Sequence, residues 1–137
     1  FYNVATNIDD LRINIDNYGG KSLHNQSHGE SFLSLVQNRF RGNGFYILDE
    51  PEAALSPMRQ LTLLIEINNL VKNNSQFIIA THSPILLAYP DAQIYNLDSG
   101  IERIEYAETE QYKMTKNFLD NPNIFIERLF DSDFSTD

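Results

Sequence analysis

Cysteine is absent from the 137 residues, which excludes disulfides and thiolate-held metals. Long apolar runs are also missing. None approaches the ~20 residues needed to cross a bilayer, so no membrane partner is expected and the cytoplasm is the expected compartment. Basic residues are few, 10 against 19 acidic, for a net charge of −9. That balance opposes nonspecific attraction to nucleic acid or anionic lipid. Nucleic-acid binding is left to a local basic surface or to a longer parent chain. There is no internal repeat and no low-complexity tract. The first residue is Phe1 rather than Met, and initiator Met is trimmed mainly ahead of small residues. The chain is therefore expected to be part of a longer reading frame.

Hydrophobic residues make up 42% of the chain, with 7 Tyr and 9 Phe, enough for the core of one domain. Leu11, Ile13 and Ile15 alternate with polar residues, the period of a half-buried strand. Tyr18-Gly19-Gly20 punctuates it. After Ser27 the period changes. Phe32, Leu35, Val36 and Phe40 fall on one helical face, and Ser27 with Glu30 has the spacing of a capping box. Gly42-Asn43-Gly44 ends that helix. Phe45-Tyr46-Ile47-Leu48 reads as a strand buried on both faces. A helix is predicted from about Met58 to Val71, with Pro57 in its first turn. Asn73-Asn74-Ser75 closes it, and Phe77-Ile78-Ile79-Ala80 is a second buried strand. The order is that of a βαβ unit with parallel strands. Two short strands, at 93–97 and 101–106, flank the turn signal Asp98-Ser99-Gly100. A polar helix over 109–119 and a last helix opening at Asn121-Pro122 complete the chain. The domain is expected to span residues 1–130, with an acidic tail at 131–137.

In an open parallel sheet, ligands bind beyond the carboxyl ends of the strands. The first buried strand ends in Asp49-Glu50-Pro51 and the second in Thr81-His82-Ser83-Pro84, so two acids and a histidine emerge at one edge. An adjacent carboxylate pair suits Mg²⁺, which takes oxygen ligands and is held by few protein groups plus water and substrate phosphate. One acid can order the metal's water shell while the other polarises an attacking water. The histidine can donate to a terminal phosphate oxygen as charge develops there. Each motif also has a bland reading: a polar loop start for Asp49-Glu50, a structural histidine for His82. It is their joint occurrence across one βαβ unit that points to chemistry. The stretch Gln26-Ser27-His28-Gly29-Glu30 opens the first helix. A helix amino terminus offers unpaired N–H groups to an anion, and Gly29 permits close backbone approach, although a plain helix cap explains the same residues.

Together these segments resemble the ABC-type ATPases, in the order signature, Walker B, D-loop and histidine switch. Of the signature Leu-Ser-Gly-Gly-Gln, Ser27 matches the serine, Gly29 the second glycine and Glu30 the glutamine, while Gln26 and His28 depart from it. Phe45 to Glu50 matches Walker B. Ala53-Ala54-Leu55-Ser56 matches the D-loop, with Ser56 in place of its usual aspartate. Thr81-His82-Ser83 matches the switch. Glu52 and Ser83-Pro84 look like the soluble AAA-like members near the RecF, SMC and OLD groups. The resemblance implies an α/β fold: an incomplete P-loop NTPase domain with a parallel βαβ core, followed by a hairpin and helices. It implies ATP and Mg²⁺ as cofactors and ATP hydrolysis as the reaction. Asp49 would organise Mg²⁺ through water, Glu50 would be the base for the attacking water, and His82 would sense the γ-phosphate. Ser27, Gly29 and Glu30 would meet ATP held by a second chain.

A phosphate-cradling Gly-x-x-x-x-Gly-Lys-Ser/Thr segment is missing. Gly20-Lys21-Ser22 imitates its end, but Ile15 stands where the first glycine belongs. The expected partners are therefore a second copy or a P-loop-bearing chain, and the isolated chain is expected to turn over ATP poorly. The alternative reading is a noncatalytic module that lends its signature face to another ATPase. A Mg²⁺-dependent nuclease built on Asp49 and Glu50 is weaker, because no further acid cluster ends a strand.

Overall fold

The computed structural model describes residues 28–98 and 100–131. The predicted strand at residues 11–16, the Gly19 to Ser22 turn, Ser27 and the end of the acidic tail lie outside them. The chain divides into two compact units, one ending at Tyr89 and the other beginning at Pro90. Each is described by itself.

The first unit runs α1 (His28–Arg39), β1 (Phe45–Asp49), a 3-10 turn (Pro51–Ala54), α2 (Pro57–Lys72), β2 (Gln76–Ala80) and the short α3 (Pro84–Leu87). The predicted helical face of α1 is buried, with Phe32, Val36 and Phe40 each at most 5% exposed and Leu35 packed beside them. Asn43, with φ 58°, turns the chain between α1 and β1. Asparagine tolerates this left-handed region better than most residues. Pro57 opens α2 as expected, and the Ser56 hydroxyl caps it by accepting from the Arg59 N–H.

β1 and β2 pair in parallel across α2, with Phe45 opposite Gln76 and Asp49 opposite Ala80. Tyr46 and Leu48 on one face join a core that includes Leu63 and Ile67 of α2, Leu55, and Leu86 of α3. The Tyr46 ring stacks on Phe40 at 4.1 Å and leans on Phe77 at 5.1 Å. Its hydroxyl donates to the Arg41 carbonyl, which satisfies a polar tip buried in apolar surroundings. The expectation of strands buried on both faces is corrected. Phe45, Ile47 and Ile78 point to the other face and remain 43%, 38% and 52% exposed. Successive strand side chains alternate between faces, and only the Tyr46–Leu48 face meets the helices of the cluster.

The second unit pairs β3 (Ile94–Asn96) with β4 (Glu102–Ile104) as an antiparallel hairpin, Tyr95 opposite Arg103. A 3-10 turn (Tyr106–Glu108) leads to α4 (Glu110–Asp120) and α5 (Pro122–Asp131). Thr109 caps α4 by accepting from the Tyr112 N–H, and its hydroxyl donates to the Tyr106 carbonyl. Phe118 and Phe125 meet edge to face across the α4–α5 turn. Among the described residues no helix is long and apolar enough to cross a membrane.

Candidate functional site

The site is built on the carboxyl ends of β1 and β2. The ladder continues one residue beyond β1, where the Glu50 N–H donates to the Ala80 carbonyl at 2.8 Å. There the strand stops, because Glu50 adopts φ 43° and ψ 52°. This left-handed conformation is unfavourable for a residue with a Cβ, and the residue before a proline is further restricted. The structure holds it in place with the Ala80 contact, with the Glu50 carbonyl accepting from the Ala53 N–H, and with Pro51 buried behind it. Strained backbone of this kind concentrates at functional sites.

The sharp turn brings Glu50 beside the end of β2. The Glu50 Oε1 and His82 Nε2 atoms lie 3.7 Å apart, with side chains 58% and 77% exposed. At that exposure the pair contributes little to stability, so its juxtaposition is open to a ligand rather than spent on the fold. Asp49, the last residue of β1, is also exposed. The predicted gathering of Asp49, Glu50 and His82 at one sheet edge thus follows from the parallel register.

The residues matched to the signature pattern stand elsewhere. Gly29 and Glu30 lie in the first turn of α1, against the segment that follows β1. A Cβ on Gly29 would meet the Ala54 carbonyl oxygen at 2.2 Å, so a side chain at 29 would force backbone apart. Glu30 makes a 2.7 Å ion pair with Arg59 of α2. Both residues therefore have a packing role in this structure.

Two sets of contacts were not legible in the sequence, although Glu52 and Ser83 stood out there by resemblance. Glu52, in the turn after Glu50, accepts the His82 backbone N–H through Oε1 at 2.8 Å. Gln60 of α2 accepts from the Ser83 hydroxyl and donates to the Leu55 carbonyl, tying the start of α3 to the D-loop-like segment. Ser83 in turn caps α3, accepting from Ile85 and Leu86. No spacing rule announces either contact, because each partner lies 23 or 30 residues away.

Among the described residues no cluster of three or more His, Asp or Glu side chains forms a metal cage. Mg²⁺ does not need one, since it is commonly bound by one or two carboxylates with substrate phosphate and water, and the all-oxygen Asp49-Glu50 pair fits that chemistry.

A mixed α/β unit with a small parallel sheet and flanking helices fits an AAA-like domain. A family described as "AAA domain, putative AbiEii toxin, Type IV TA system" matches residues 27–88, the span of the site. This match supports an AAA-like ATPase family and, with it, nucleotide binding.

Proposed function

We propose that this chain supplies the water-activating and phosphate-sensing edge of an ATP-hydrolysing domain of the ABC-type, soluble AAA-like kind. The observation that carries the reading is the 3.7 Å approach of Glu50 to His82 at the shared end of two parallel strands. In this reading Glu50 takes the proton of the attacking water, and His82 donates to the γ-phosphate oxygen where charge accumulates. Asp49, with Glu50 beside it, would hold Mg²⁺ through water, and the ion would supply charge neutralisation at the phosphates. Gly29 and Glu30 in the first turn of α1, with Ser27 ahead of them in sequence, are the residues offered to nucleotide bound by another copy.

The 137 residues contain no Gly-x-x-x-x-Gly-Lys-Ser/Thr segment. In the proposed assembly the phosphate cradle comes from another segment or another chain. Phosphoryl transfer relies on positioning and charge stabilisation, so turnover by this chain alone is expected to be negligible.

The test is nucleotide titration and steady-state ATPase assay of the chain with a P-loop-bearing partner or an upstream-extended form. Glu50→Gln is expected to keep nucleotide binding and to lower kcat by about 100-fold or more, in the range that removal of a general base produces. Turnover at the unsubstituted rate would remove Glu50 from the role of base. Mg²⁺-dependent cleavage of DNA without ATP would favour a nuclease instead.

A further inference from the structure

We propose that Glu52 is a positioning residue for the Glu50–His82 pair, an inference that rests on the ATPase reading for its functional meaning. His82 stands on a linker between β2 and α3, and its ring is 77% exposed. Packing therefore does little to place it, and its location is set through its backbone. Glu52 provides that anchor: its carboxylate accepts the His82 N–H at 2.8 Å, a charge-assisted bond spanning 30 residues of sequence. On the other side of His82, the Ser83 N–H donates to the Thr81 hydroxyl at 3.0 Å, and the Ser83 hydroxyl caps α3. The linker is thus held on both sides of the histidine.

The other end of the strut is equally defined. Glu52 lies in the 3-10 turn that starts directly after Glu50, so one carboxylate joins the two turns that carry the reacting side chains. Its second oxygen, Oε2, is buried with no donor among the described residues. The hydrogen bond to the His82 N–H therefore goes through Oε1 alone.

The test is NMR on the isotope-labelled 137-residue chain. The expected direct sign, in the unsubstituted protein, is a through-hydrogen-bond coupling between the His82 amide nitrogen and the Glu52 carboxyl carbon. Glu52→Ala is expected to lower His82 amide exchange protection by about ten-fold or more, the worth of a bond to a charged acceptor, while Leu63 and Ile67 amides keep theirs. A second readout is the His82 ring resonance. Glu50→Gln should move it in the unsubstituted chain and move it by less than about half as much in the Glu52→Ala background, as expected for coupled neighbours. Glu52→Gln, which keeps an acceptor, should restore most of both. Absence of the coupling overturns the proposal, and so does an unchanged ring response and amide protection in folded Glu52→Ala. In the ATPase assembly, Glu52→Ala should lower kcat with KM held within about two-fold. If the unsubstituted assembly shows no turnover, the ATPase reading fails while the NMR result still decides the role of Glu52.

Discussion

At the residue scale, Glu50 holds a backbone conformation that costs stability. Its φ of 43° ahead of Pro51 is a conformation glycine would adopt without strain. Glycine at this position should therefore be more stable than alanine by roughly 1 kcal/mol, although both lack the carboxylate. Urea unfolding of Glu50→Gly and Glu50→Ala checks this. Equal midpoints would mean that the turn relaxes when the side chain is removed. The sequence marks Glu50 by its place after an apolar run. It could not show the backbone strain, since nothing in a glutamate announces a left-handed conformation.

At the element scale, the site depends on how helices begin. Ser56 ends the D-loop-like segment and caps α2 at the same time. Ser56→Ala should cost about 1 kcal/mol, and Ser56→Asp should cost little, because aspartate caps as well as serine. Thermal unfolding of the two variants separates the cap from any other role of residue 56. Gly29→Ala presents a harsher test. Its Cβ would lie 2.2 Å from the Ala54 carbonyl oxygen, so α1 and the turn after β1 must separate. Overpacking of this kind costs about 1–3 kcal/mol and would be read as a lower urea midpoint. In the second unit, burial and secondarily Tyr112 hold the Tyr106 hydroxyl above its ordinary value of 10.0. The folded state then keeps that proton longer than the unfolded state, so this contribution is intact below about pH 10 and is lost as pH rises further. Tyr106→Phe should flatten that alkaline loss in unfolding curves taken between about pH 9 and pH 11.

At the scale of the whole molecule, the first unit is held by one cluster that draws on α1, β1, α2 and α3. Leu63 sits at its centre with no exposed surface. Leu63→Ala should cost about 2–5 kcal/mol, since the cavity adds to the lost transfer energy. Denaturant unfolding followed by Tyr fluorescence would measure it. A cost under about 1 kcal/mol would mean that the cluster collapses around the gap. Because the cluster also seats β1 and α3, its loosening is expected to blur the placement of Glu50 and His82 before the chain unfolds.

What the amino-acid order settled by itself was local. The spacing of Phe32, Val36 and Phe40 declared α1, Pro57 declared the start of α2, and the apolar runs before Asp49 and Thr81 declared two strands whose ends bear acids and a histidine. Periodicity and capping act over a few residues, so they are legible in one dimension. Tertiary structure decided the rest. The parallel register set Asp49 opposite Ala80 and so brought Glu50 within reach of His82. It left Phe45, Ile47 and Ile78 exposed where burial had been expected. It also gave Gly29, Glu30 and Glu52 their neighbours, Ala54, Arg59 and the His82 backbone. Each of those contacts joins residues far apart in the chain, and only the folding of α2 back across the two strands determines which of them meet.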